Sequence, residues 1–272
     1  MSLFEVASFW PILLALTFIV ITIFYQTSAV FKYHFKLLTY YVIAMGIGCA
    51  VTARALFRPK DPANQFVITR CVNLFLKQIL GMDITVRGQS NIEKEEMGIL
   101  VLNHQSSLDM IPMFMMWPEN CVSIAKRELL YLSGTFGLGA WLCGTIFIDR
   151  LNPESARKTM QDTVEKIRRE KLRVVIFPEG TRNHDGSLLP FKKGGFHLAV
   201  QGQVPIIPVV FSSYNNFYNK NERRFDEGKV IVEILEPIST KGLTSADVTD
   251  LTERTRQVML ETFDRISEEV KS

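Results

Sequence analysis

Residues 98–109 read GILVLNHQSSLD. The first five are an unbroken apolar run of strand length, the pattern of a strand buried on both faces of a parallel sheet. Ser106 or Ser107 can cap a helix beginning near Leu108. A buried strand that turns directly into a helix start is the unit of an α/β fold. In such folds ligands sit just beyond the carboxyl ends of the strands. The NHQSSLD run, residues 103–109, falls at that place.

Outward from this unit the alternation continues. Residues 64–80 carry apolar side chains at helical spacing and stop at Gly81, and residues 83–88 alternate as a strand. Asn152 and Pro153 open a helix whose Ala156, Met160, Val164 and Ile167 share one face. Residues 173–177 (RVVIF) read as a second buried strand. Residues 204–211 (VPIIPVVF) read as a strand in which Pro205 and Pro208 lack amide donors, which predicts an edge or bulged position. Residues 229–235 alternate as a strand, and Thr244 with Asp247 predicts a capping box before an amphipathic helix ending near Val270. Strands alternating with helices predict an α/β sandwich.

Charge divides the chain. Only Glu5, Lys32 and Lys36 are charged within residues 1–53, whereas the remainder has the charge density of an ordinary globular domain. A hydrophobic content of 47% excludes disorder, and a net charge of +3 is too small to point to nucleic acid. Cys49, Cys71, Cys121 and Cys143 have no metal or CxxC spacing and read as reduced thiols facing a reducing compartment.

Residues 6–31 contain no Asp, Glu, Lys or Arg, and a second uncharged stretch covers residues 37–53. Both reach the length of a bilayer crossing. Trp10, Tyr25, Tyr40 and Tyr41 are placed as interface aromatics. A cleaved signal peptide fits poorly, since the segment has no basic start and no cleavage site. The expectation is a retained anchor at residues 1–58 ahead of a domain at residues 59–272. Lys32 and Lys36 in the connector and Arg54, Arg58 and Lys60 after it favour a hairpin dipping into one leaflet, with two full spans as the alternative. Residues 129–148 are also uncharged, but Gly134, Gly137, Gly139 and Gly144 would each cost a helix about 1 kcal/mol. Reactive motifs flank this stretch, so buried or membrane-grazing structure is expected there.

His104 and Asp109 are five residues apart, which no continuous helix aligns. A strand–turn–helix can, with the carboxylate folding back to the imidazole and making it a general base for a hydroxyl. The same spacing also fits a capping His beside a helix-start Asp. Residues 177–183 (FPEGTRN) begin at a second strand end. Gly180 allows a tight turn, Arg182 can hold a phosphate, and Glu179 can orient a cation or a ligand hydroxyl. His184 belongs to the following charged turn. Residues 144–150 (GTIFIDR) deliver Asp149 and Arg150, and Lys126, Arg127, Lys192 and Lys193 add cations suited to an anionic substrate. A Ser106 or Ser107 hydrolase lacks the nucleophile elbow. A metal site from His104, Asp109, His184 and Asp185 matches no familiar spacing.

Four blocks, NHQSSLD, GTIFIDR, FPEGTRN and VPIIPVV, together with AKREL and PFKKGGFHLAV, resemble the glycerolipid acyltransferases in order and spacing. The chain is most similar to the animal 1-acyl-sn-glycerol-3-phosphate acyltransferases of the alpha/beta type, from about residue 60 to Ile266. The resemblance implies a mixed sheet flanked by helices and transfer of a fatty acyl group from acyl-CoA to the sn-2 hydroxyl of lysophosphatidic acid. It implies His104 as base and Asp109 as its partner. Arg182 and Lys126 would hold the phosphate, and Glu179, Gly180, Thr181 and Arg150 would shape the acceptor site. Asn103 and Ser106 are candidate donors beside the reacting centre, and Phe136 and Trp141 candidate lining for the acyl chain. Acyl-CoA would be a co-substrate, with no cofactor, no metal and no nucleic acid, and the protein would be integral to the endoplasmic reticulum membrane. Glycerol 3-phosphate or another lysophospholipid as acceptor, and a non-catalytic lipid-binding scaffold, are the competing readings.

Overall fold

A computed structural model describes residues 3–271. Two long helices come first, α1 (Leu3–Thr27) and α2 (Ala29–Ala55). Both are long and apolar enough to cross a membrane. They differ in what surrounds them. From Phe9 onward α1 is exposed along nearly its whole length, with Phe18 at 71%. A helix whose apolar surface is bare on every side needs a non-aqueous partner. By contrast, α2 buries a stripe made of Tyr33, Lys36, Tyr40, Ile47, Val51 and Ala55. Ser28 alone separates the two helices and caps the second by accepting from the Phe31 amide.

The rest of the chain alternates helices and strands. A 3-10 turn (Pro62–Gln65) leads into α3 (Phe66–Cys71) and a π turn (Val72–Leu76) joins it to α4 (Lys77–Leu80), followed by β1 (Met82–Arg87), α5 (Gln89–Glu93) and β2 (Gly98–Leu102). Then come α6 (Met110–Met115), β3 (Cys121–Lys126), α7 (Glu128–Leu132), α8 (Thr135–Leu142) and β4 (Ile146–Ile148). The second half holds α9 (Pro153–Glu170), β5 (Arg173–Ile176), α10 (Gly194–Gly202) and β6 (Ile206–Phe211). A short hairpin, β7 (Tyr218–Asn219) with β8 (Arg224–Phe225), precedes β9 (Gly228–Ile234) and α11 (Val248–Glu269).

Among the described residues seven strands form one mixed sheet in the order β1-β9-β6-β2-β5-β3-β4. All neighbouring pairs are parallel except β6 with β9. The apolar run of β2 is explained by its place at the centre. Leu100 and Leu102 face one buried layer, with α2, α3 and α6, while Ile99 and Val101 face the other, with α9, α10 and α11. Alternation is invisible in the sequence because both faces are covered.

Two expectations need correction, and a third resolves between its alternatives. The strand with two prolines is central, between β2 and β9, and takes the bulged alternative, not the edge. The register shows how it is tolerated: Ile206 pairs with Ile238, but Val209 pairs with Ile234, so the partner strand carries one extra residue opposite Pro208. That bulge removes the need for the missing amide. Next, Lys32 and Lys36 are not in a connector but in the first turns of α2, and both reach the globular body. Lys32 pairs with Asp226 at 2.9 Å, and the Lys36 ammonium donates to the carbonyls of Leu80 and Asp226 at 2.8 and 2.9 Å. Finally, the capping box at α11 is half formed. The Asp247 carboxylate accepts from the Thr244 amide, but the Thr244 hydroxyl also donates to it and so caps no amide.

The glycine-rich stretch forms α7, α8 and β4. Helix α8 lies directly on α2, where a Cβ at Gly48 would stand 3.0 Å from the Phe136 amide nitrogen. The backbone of Phe136 is thereby held against α2. Trp141 is partly exposed, with the Lys60 ammonium 4.8 Å from its ring.

Candidate active site

The carboxyl ends of β6, β2, β5, β3 and β4 open on one edge of the sheet. Each motif stands at one of these ends. His104 follows β2, FPEGTRN follows β5, Lys126 ends β3 and Asp149–Arg150 follows β4. Three of the four blocks, with Lys126 of AKREL, stand in a row along one edge, and the fourth, VPIIPVV, supplies β6 itself.

Ser106 caps the 3-10 turn Ser107–Asp109, which turns the Asp109 carboxylate back toward β2. Its Oδ2 lies 2.7 Å from His104 Nδ1 and accepts the amides of Gln105 and Ser106 at 2.8 and 3.1 Å. An ionised carboxylate on Nδ1 places the ring proton there and leaves Nε2 with its lone pair. Asp109 is buried, whereas the His104 ring is 21% exposed. The Phe177 ring lies against it, centroids 4.3 Å apart. A fixed, partly open imidazole beside a sealed carboxylate has the arrangement that general-base chemistry requires.

Glu179 has a different place from the one its motif suggests. Its Oε1 accepts the His104 amide at 2.7 Å and its Oε2 the Leu189 amide at 2.9 Å. With both oxygens occupied by backbone amides and the side chain buried, it braces the backbone of His104. Burial pushes its carboxyl up from the usual range, against the pull of those two amides. The Asn183 amide donates to the His104 carbonyl at 2.8 Å, so both backbone groups of His104 are tied to the second motif.

Gly180 has φ +71°, and the Lys192 ammonium lies 2.7 Å from the position a Cβ would occupy. No other residue fits that turn without displacing a cation. Arg150 donates to the Gly180 carbonyl at 3.3 Å. Asp149 pairs with Arg127 at 3.2 Å, not with Arg150. Thr181 and Arg182 are exposed at the rim. Lys126 stands two strands from β2, about 10 Å along the edge. Among the described residues Lys126, Arg182 and Lys192 have no carboxylate within salt-bridge distance. Lys193 is turned away to Thr249.

Asn103 is committed elsewhere: its amide donates to the Phe211 carbonyl and its oxygen accepts the Phe211 amide, at 3.0 and 2.8 Å. It pins β2 to β6 and is not a free donor. The Ser106 hydroxyl accepts the Leu108 amide, and the Ser107 hydroxyl lies 3.3 Å from Tyr41 Oη, so neither is poised on His104 as a nucleophile. Among the described residues no three His, Cys, Asp or Glu side chains converge as a metal site.

The sequence alone misses the part played by α2. Tyr40 donates to the Ser107 carbonyl at 2.6 Å, inside the turn that carries the dyad. The signal was present: Tyr33, Tyr40 and Ile47 recur every seven residues on the face that α2 buries.

A family model described as Acyltransferase matches residues 83–212, which takes in every strand from β1 to β6. The human 1-acyl-sn-glycerol-3-phosphate acyltransferase alpha is 45% identical over 243 residues, 87% of this chain and 83% of that protein. The human beta protein is 41% identical over 260 residues, 95% and 92% of the two chains. The crystal structure of the 1-acyl-sn-glycerophosphate (LPA) acyltransferase PlsC from Thermotoga maritima superimposes with a TM-score of 0.66 at 26% identity, covering 88% of this chain and 94% of that one. Identity of that order over nearly the full length of both chains shows common membership, and this chain belongs to the 1-acyl-sn-glycerol-3-phosphate acyltransferase family.

Proposed function

We propose that this chain transfers a fatty acyl group from acyl-CoA to the sn-2 hydroxyl of 1-acyl-sn-glycerol 3-phosphate, giving phosphatidic acid. The observation that carries the reading is the 2.7 Å contact of His104 Nδ1 with Asp109, with Nε2 left open beside unpaired cations. His104 Nε2 takes the hydroxyl proton as the oxygen attacks the thioester carbonyl. The tetrahedral oxyanion collapses, the C–S bond breaks, and the proton passes from the imidazolium to the departing CoA thiolate. A thiolate leaves readily, so the step needs no metal or cofactor. Arg182, Lys126 and Lys192 hold the acceptor phosphate, and Arg150 and Gly180 shape the turn beneath it. Holding the phosphate places the hydroxyl at the base, which supplies much of the rate.

The lipid bilayer is the third partner. Helix α1 exposes mostly apolar surface from Phe9 onward, and 28% of the apolar window of α2 is already buried, which favours a hairpin in one leaflet over two separate spans. Residues 1–58 then act as anchor and residues 59–272 as the acyltransferase domain, at the endoplasmic reticulum membrane.

The test is thiol release from an acyl-CoA in detergent micelles, with and without lysophosphatidic acid. Wild type releases thiol only with acceptor and forms phosphatidic acid. His104→Ala loses about 10²- to 10⁴-fold, the range for a general base. Release without acceptor, or activity retained in the variant, overturns the reading.

A further inference from the structure

Two buried polar atoms of this site lack a hydrogen-bond partner: Asp109 Oδ1 and Tyr214 Oη. The first can only accept and the second can donate. Tyr214 follows the carboxyl end of β6, the strand beside β2, and is 3% exposed. It lines a cavity of about 30 Å³ with Gln105 and Ser106, whose amides both hold the other oxygen of Asp109. Its turn is pinned, since its carbonyl accepts the amides of Phe217 and Tyr218 at 3.0 and 2.8 Å, and its ring packs on Phe217. An unpaired buried acceptor carries its full desolvation cost, so such atoms are found paired.

We propose that Tyr214 is a positioning residue of the dyad, its hydroxyl donating to Oδ1 of Asp109 and fixing the carboxylate against the His104 imidazole. The inference rests on the assignment of His104 as base. Burial, followed by the charge of Asp109, pushes the Tyr214 phenol well above its usual range, which keeps it a donor throughout the working range of pH. The titratable groups around the pair are His104 on the β2 turn, Glu179 after β5, Tyr40 on α2 and Tyr218 on β7. His184, with Arg182, Lys220 and Asp185 about it, adds the remaining charge. Among the described residues none of these is hydrogen-bonded to Oδ1. A buried carboxylate deprived of a donor is a poorer anion, so the dyad takes up a proton at higher pH.

The experiment is the pH profile of kcat/KM for acceptor-dependent thiol release by wild type, Tyr214→Phe and Tyr218→Phe. Phenylalanine keeps the ring on Phe217, and the thermal midpoint of the purified protein checks the fold. The acid limb of Tyr214→Phe moves up by about half a pH unit or more, so the loss at pH 6 exceeds that at pH 8, while Tyr218→Phe keeps the wild-type limb. An unmoved limb, a loss uniform in pH, or the same shift in Tyr218→Phe overturns the proposal. Activity retained in His104→Ala is a different failure: the base is then wrongly assigned, and Tyr214 falls with it.

Discussion

Glu179→Gln separates a brace from a ligand. The wild-type carboxylate accepts two buried amides, from His104 and Leu189, one on each oxygen. Glutamine keeps one acceptor and sets an NH₂ donor against the other amide. One hydrogen bond to a charged group is lost, worth about 1.5–3 kcal/mol, and the removal of a buried charge offsets part of it. The net loss is about 1–2 kcal/mol, which for a chain of this size lowers the thermal midpoint by ~2–8 °C. The effect on rate is larger, because either orientation of the glutamine disturbs the brace that fixes the backbone of the proposed base. Displacing a reacting group by a fraction of an ångström to an ångström reduces turnover by up to about 10²-fold. The assay is steady-state thiol release with lysophosphatidic acid varied at saturating acyl-CoA, beside a thermal melt. The expected result is a fall in kcat with the acceptor KM little changed. A raised acceptor KM with kcat intact would refute the argument and return Glu179 to the acceptor site, where its motif alone suggests it belongs.

Tyr40→Phe removes the donor to the Ser107 carbonyl, leaving a buried acceptor short by about 1 kcal/mol; kcat falls several-fold while the acceptor KM holds, and an unchanged kcat in the same assay refutes the coupling of α2 to the dyad turn. His184 supplies a test of pH-dependent stability. Burial, then Lys220 and Arg182, hold its pKa below the usual 6.5, so the unfolded chain binds that proton more readily than the folded one. Stability from this source is full above about pH 6.5 and is lost as the pH falls below it. His184→Gln therefore flattens the thermal midpoint between pH 7 and pH 5, and a slope equal to wild type refutes the assignment.

The sheet was legible wherever burial on both faces left a continuous apolar run, as in β2 and β5, because composition alone then reports the environment. The dyad was legible because its two members lie on one strand–turn–helix unit, where spacing limits geometry. Residues 204–211 were legible only as a choice between edge and bulge, for a specific reason. Proline removes a donor, but whether a donor is needed depends on the opposite strand, and the bulge at residues 235–237 lies some thirty residues away. Glu179 resisted in the same way: a carboxylate on a glycine turn looks free until the His104 amide, 75 residues earlier, is placed against it.

The leader shows most clearly what a hydropathy reading leaves out. Residues 6–31 and 37–53 are both uncharged and both reach the length of a crossing, yet only α1 is bare. The difference lies in the polar atoms of α2. A lysine buried to 3% exposure is tolerated only when its ammonium is satisfied, and Lys36 meets two carbonyls and the face of Phe225. Lys32 reaches Asp226 beside it, and Tyr40 reaches Ser107. Those three side chains share the stripe that faces the body, so they record a docking surface inside an otherwise apolar segment. The positive-inside rule weighs lysines as charges left in water at a membrane face. It does not apply to ammonium groups bonded within the protein, so Lys32 and Lys36 carry no weight in it.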